Sequence, residues 1–119
     1  MNPNPDASAP APADPSAGLT RTLSRIVIVL GREATLDPAP LIAAAWRRHL
    51  KLMILVLGLP LTPSQQHVCE AGLEAAGRGL LELEERVVLD PRRVAGLVED
   101  SDHVVFAVSP EERDELGWE

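Results

Sequence analysis

Ile26 to Leu30 is an unbroken, mostly β-branched apolar run that follows Arg25 and stops at Gly31. A strand with one wet face alternates apolar and polar residues, whereas a strand covered on both faces does not. The run therefore demands helices above and below it. That restricts the chain to a layered α/β fold, with 25–31 as the central strand. Leu52 to Leu57 makes the same demand a second time.

The segments between the runs supply the helices. Asp37-Pro38 is a start signal: the carboxylate can accept from orphan helix amides, and proline suits the first helical position. Leu41, Ile42, Ala45, Trp46 and Leu50 follow at helical spacing, which predicts a helix over about 38–49 and a strand over 51–58. Thr62-Pro63-Ser64-Gln65 has the spacing of a capping box, with Val68, Cys69, Gly72, Leu73 and Ala76 as the apolar face of the helix it opens. Gly77-Arg78-Gly79 ends that helix. Leu81 and Leu83 alternate with Glu82 and Glu84 ahead of Val87-Val88-Leu89, so a third strand is expected over about 80–89, at a sheet edge and more exposed at its beginning. Asp90-Pro91 caps a short helix containing Val94, Leu97 and Val98. His103 to Val108 is a fourth buried strand. Ser109-Pro110-Glu111-Glu112 opens a last, acidic helix anchored by Leu116 and Trp118.

The order β-α-β-α-β-α-β-α implies a small three-layer sandwich with a mostly parallel four-stranded sheet and right-handed crossovers. In a doubly wound sheet the fourth strand lies beside the first, and ligands bind in the crevice outside Gly31 and Ser109. Residues 1–20 carry five prolines in the first fifteen positions and no apolar period, so they are expected to be a disordered tail preceding one domain over 24–119. No signal peptide is visible. A single cysteine excludes an internal disulfide and fits a cytoplasmic protein. The apolar stretch 52–61 is too short to span a bilayer and is broken by Gly58 and Pro60, so no membrane insertion is expected.

Composition and motifs exclude several chemistries. The net charge of -7 offers no basic stripe for phosphates, and Arg47-Arg48 with Lys51, or Arg92-Arg93, read as solvated helix faces; nucleic acid is not an expected partner. His49, His67, Cys69 and His103 lack the ligand number and spacing of a zinc site, so no metal is assigned. Asp90 ends a strand as a phosphoacceptor would, but Leu30 and Gly31 stand where an acidic pair would hold magnesium, and capping explains Asp90. Ser109 sits at a strand-to-helix turn, yet Val108 and Pro110 flank it instead of the glycines of a nucleophile elbow. No catalytic set emerges, and the chain reads as a non-enzyme without a cofactor. The remaining candidate ligand residues are Gly31, Arg32 and Ser109 at the crevice. Arg32 could pair with an anion there or serve as an ordinary surface arginine.

From about Ser24 to Ser109 the chain resembles the universal stress protein fold, within the adenine-nucleotide α-hydrolase-like Rossmann variants. The resemblance rests on Leu73-Glu74-Ala75-Ala76-Gly77, on Glu85-Arg86-Val87-Val88-Leu89-Asp90-Pro91, and on Asp102-His103-Val104-Val105-Phe106-Ala107-Val108. It implies a regulatory domain of bacterial stress response. ATP-binding members carry an acidic residue after the first strand and a glycine loop of the form G-x2-G-x9-G-[ST] after the fourth. Here Gly31-Arg32 stands at the first place, and Glu111, Glu112, Asp114 and Glu115 crowd the second. The implied function is a non-catalytic regulatory or interaction domain that does not bind ATP in the family's way. Its expected contact is a protein partner or a homodimer through an exposed sheet edge. The alternative is a small-ligand or nucleotide binder using the crevice beyond Gly31 and Ser109.

Overall fold

The computed structural model describes residues 24–33 and 35–117. The proline-rich segment and Trp118 lie outside the described residues. The elements are β1 (Arg25–Leu30), α1 (Ala39–Arg48), β2 (Lys51–Leu57), α2 (Pro63–Gly77), β3 (Leu83–Val88), a 3-10 turn (Pro91–Arg93) running into α3 (Val94–Leu97), β4 (Asp102–Ala107) and α4 (Pro110–Glu115). The sheet is four-stranded and parallel throughout, in the order β3-β2-β1-β4. β1 is therefore central and β4 lies beside it, as the doubly wound reading requires.

Both apolar runs divide by residue parity into two cores. Ile26, Ile28 and Leu30 of β1, with Leu52, Ile54 and Val56 of β2, face Ala45 of α1 and Val68 and Cys69 of α2. Val27, Val29, Met53, Leu55 and Leu57 face the other way, onto Val94 of α3 and Leu116 after α4. Helices thus cover both sheet faces, and every apolar residue from Ile26 to Leu30 is almost fully buried. Burial of such a side chain contributes about 1.5–3 kcal/mol, so these eleven strand residues carry much of the stability.

The helix starts follow their signals with one shift. Asp37 accepts from the Ala39 N–H at 3.1 Å, but Pro38 occupies the cap position, so α1 begins one residue later than expected. Thr62 and Gln65 form the expected capping box, and so do Ser109 and Glu112. Asp90 caps the 3-10 turn through the Arg92 N–H.

β3 departs from expectation in two ways. Pairing starts only at Leu83, and exposure runs in the opposite direction. Leu81 and Leu83 pack against the first core, while Val87 and Leu89 are exposed. The cause is the placement of α2. A Cβ on Gly72 would stand 3.3 Å from both Leu83 and Ile54 side-chain carbons, so the missing side chain lets the helix backbone settle over the beginning of β3. On the α2 side the far end of the strand, at Val87, stays uncovered, while Val88 is buried in the second core.

At the N-terminal end of the sheet, Arg25 ties three elements together. Its Nε donates to Asp102 at 2.7 Å, and its terminal nitrogens reach the Met53 sulfur at 3.0 Å and the Leu97 carbonyl at 3.0 Å. The Asp102 side chain is fully buried and its second oxygen accepts from the Glu99 N–H. Hydrogen bonding to Asp102 raises the Arg25 pKa further, against a smaller opposing effect of burial.

Candidate functional site

The two loops expected to form a ligand crevice do meet. β1 ends at Gly31, whose N–H donates to the Ala107 carbonyl of β4 at 2.8 Å. That bond brings the loop Gly31-Arg32 against the loop Val108-Ser109, so the structure places Gly31, Arg32 and Ser109 together at the switch point.

The space between them is filled from within. One carboxylate oxygen of Glu112 accepts from the Ser109 N–H at 2.9 Å, and the other accepts from the Arg32 N–H at 2.8 Å. The first bond belongs to the capping box of α4, which the Ser109 hydroxyl completes by accepting from the Glu112 N–H at 3.1 Å. The second crosses to the other loop. Gly31 makes this possible: a Cβ there would stand 2.7 Å from the Glu112 carboxyl carbon. The backbone amides that cradle an external anion in other doubly wound folds here hold an internal one.

The charge state follows from these contacts. Burial pushes the Glu112 carboxyl up. The Arg32 and Ser109 amides, the Ser109 hydroxyl and the Arg32 charge outweigh it, and the carboxyl ends below its ordinary range. Glu112 is therefore ionised at neutral pH.

Arg32 is engaged elsewhere. Its guanidinium donates to the Pro60 carbonyl at 2.6 Å, which draws the side chain over the loop after β2. That loop contains the cis peptide Leu59-Pro60. Beneath it lies Gln65, the one polar residue among those described that is buried backbone and side chain together. Its Nε2 lies 3.0–3.2 Å from the carbonyls of Leu30, Gly31 and Leu57, while its oxygen accepts from the Thr62 N–H at 3.0 Å. An uncharged amide thus binds the C-terminal ends of β1 and β2 to the start of α2.

Sequence spacing identifies Gln65 and Glu112 as helix caps, and both are. It gives no sign that each also bonds a loop 34 or more positions away.

No protein-family model matches the sequence, and no similar curated protein or solved structure was found.

The other sequence candidates are scattered. Among the described residues no three His, Cys, Asp or Glu side chains gather as a metal site would require. Cys69 is buried on the core side of α2, and burial, with smaller contributions from Glu85 and Glu70, pushes its thiol up to about 12. It is not a nucleophile at neutral pH. His103 is exposed at the start of β4. A groove of about 430 Å³ lies between α1 and α2, walled by Ile42, Ala43, Trp46, Ala71 and Ala75, with His67, Glu74 and Arg78 along α2. No helix among the described residues is long and apolar enough to cross a membrane.

Proposed function

We propose that the chain is a non-catalytic regulatory or protein-interaction domain of the universal-stress type, working through the free edge of β4. The observation that carries this reading is that β4 is the last strand of the sheet among the described residues. The Gly31 N–H bonds the Ala107 carbonyl, so alternation along a parallel ladder turns the N–H and C=O of Val104 away from β1. Beyond Asp102, whose side chain turns inward to Arg25, β4 carries no acidic residue, Lys, Arg or proline from His103 to Ala107. Edges that avoid pairing are usually blunted by such residues. β3, at the opposite edge, carries Glu84, Glu85 and Arg86. The preferred partner strand, from a second protein or a second copy, is therefore expected at β4.

The alternative of a ligand in the crevice is disfavoured by Glu112. A phosphate or carboxylate would have to displace an ionised group that already satisfies both loops. This also supports the view that ATP is not bound in the family's manner.

Val104→Pro tests the reading. Proline removes the N–H that faces away from β1 and leaves the internal ladder intact. The full-length chain is expected to sediment as an assembly larger than a monomer, alone or with a stoichiometric partner, and the variant as a folded monomer by circular dichroism. A wild-type chain that is a strict monomer with no stoichiometric partner overturns the proposal. So does an assembly that Val104→Pro leaves intact.

A further inference from the structure

β4 carries a residue pattern that its place in the sheet does not satisfy. Val104, Phe106 and Val108 pack against the second core, and Val105 and Ala107 against the first. Apolar residues on both faces mark a strand of a sheet interior, as in β1. β1 is almost fully buried from Ile26 to Leu30, whereas every residue from Val104 to Val108 is only half-buried. An added strand with one polar face would set polar side chains against one of these two apolar faces. The completing strand must be apolar on both faces and bring a covering layer of its own. Among the described strands, β4 itself is the one that meets this demand and has a free edge.

Resting on the edge reading above, we infer that the partner is a second copy of the chain, its β4 antiparallel to the first about a two-fold axis normal to the sheet at Val105. Alternation along the ladder turns the N–H and C=O of Val104 and Phe106 away from β1. With the axis at Val105, Val104 lies opposite Phe106 of the second copy and exchanges both backbone bonds with it, and pairing extends over 102–108. An axis normal to the sheet keeps like faces together, so the layer of α3 and α4 continues across the junction.

Charge selects the same centre. The Arg113 guanidinium stacks over the Phe106 ring, 4.0 Å from its centroid. Arg113 is the α4 charge nearest the edge, since Asp114 stands about 100° further round the helix and Glu111 and Glu115 about 160° away. Beside Val104, on the same sheet face as Phe106, an open pocket of about 470 Å³ is walled by Ala95, Val98, Glu99 and Asp100. An axis at Val105 sets Arg113 level with Val104 of the second copy, at that pocket and its exposed Glu99. An axis at Phe106 sets Arg113 against its own copy instead. The contact is isologous, so Arg113 meets Glu99 twice.

A cysteine scan locates the axis. Cys69 is the sole cysteine, so the full chain carrying Cys69→Ala is the background. His103→Cys, Val105→Cys and Ala107→Cys are each oxidised in it and resolved on non-reducing gels, with circular dichroism checking the fold. Residues facing each other in a non-hydrogen-bonded pair have Cα atoms about 4.5 Å apart, within disulfide reach. Positions 103 and 107 lie about 14 Å from their own copies. Val105→Cys is therefore expected to bridge at least about tenfold faster than the other two. Sedimentation velocity on the purified wild-type chain, from micromolar to sub-millimolar concentration, gives the dimer Kd. Arg113→Glu should raise it about tenfold or more, and Arg113→Lys should leave it within about threefold. A wild-type chain that stays monomeric throughout overturns the inference; a stoichiometric complex with a different protein that Val104→Pro abolishes then leaves the edge reading standing. Bridging at position 103 or 107 as fast as at 105, or Arg113→Glu dimerising as well as wild type, also overturns the inference. A dimer that Val104→Pro leaves intact overturns both.

Discussion

Replacing Glu112 by alanine exposes how much the closed switch point depends on one carboxylate. The side chain accepts two backbone hydrogen bonds, from Arg32 at 2.8 Å and Ser109 at 2.9 Å. A hydrogen bond to a charged group contributes about 1.5–3 kcal/mol, and the half-buried setting admits water to the orphaned amides. The lower end applies to each, giving a loss of about 3 kcal/mol for the pair. For a domain of this size 1 kcal/mol moves the melting temperature by about 4–8 °C, so Glu112→Ala should melt about 12–24 °C lower. Thermal and urea unfolding by circular dichroism measure both quantities. Formate or acetate should refill the vacated cradle of the alanine variant and raise its melting temperature with concentration, with no such effect on wild type. Glu112→Gln keeps the shape and one acceptor and should fall between the two. The pH dependence has a fixed sign. The folded pKa lies below the unfolded value of about 4.3, so the stabilisation is complete above about pH 4.3 and is lost as pH falls through the folded value. The gap between wild type and Glu112→Gln must close in that acidic window. An alanine variant within about 0.5 kcal/mol of wild type, or a gap that persists unchanged to strong acid, would refute the internal-anion reading.

Other residues give independent tests. Gln65→Leu keeps volume but removes the donor shared by three carbonyls and the acceptor for Thr62, and should cost about 2–4 kcal/mol in urea unfolding. Asp102→Ala leaves the Arg25 guanidinium with little besides the Leu97 carbonyl and a sulfur, and breaking such a buried pair should cost about 3–5 kcal/mol. Cys69 should resist a thiol-specific disulfide reagent at neutral pH while the chain is folded and react quickly in denaturant, since burial holds its thiol near 12.

The fold was readable because its strongest constraint is compositional. A run such as Ile26 to Leu30 has no polar residue to place in water, so its burial on both faces follows from the residue types alone. Cap spacing then marked the helix starts, because a capping box closes within four residues and needs no knowledge of the rest of the chain. The site was only half readable for the complementary reason. Glu112 and Gln65 complete local caps with one atom and long-range contacts with another. The second partner depends on which strands become neighbours, and that is decided by topology. The exposure of β3 was inverted for a related reason. Leu83 and Val87 are equally apolar, and the choice between them falls to Gly72, which lets α2 approach one end of the strand.

The parity of β1 and β2 has a consequence for register. In a sheet with one wet face, a slip of one residue turns apolar side chains into solvent and is rejected at once. Here odd and even positions are both aliphatic, so a slipped strand would meet no polarity mismatch along its length. What measures the strands is polar and sits at their ends: the Arg25–Asp102 pair below, and the Gln65 amide holding the last carbonyls of β1 and β2 above. These groups act as a ruler more than as glue. Loss of either should therefore show not only as a lower melting point but as doubled backbone amide signals in NMR spectra, from β1 and its neighbours occupying two alignments in slow exchange.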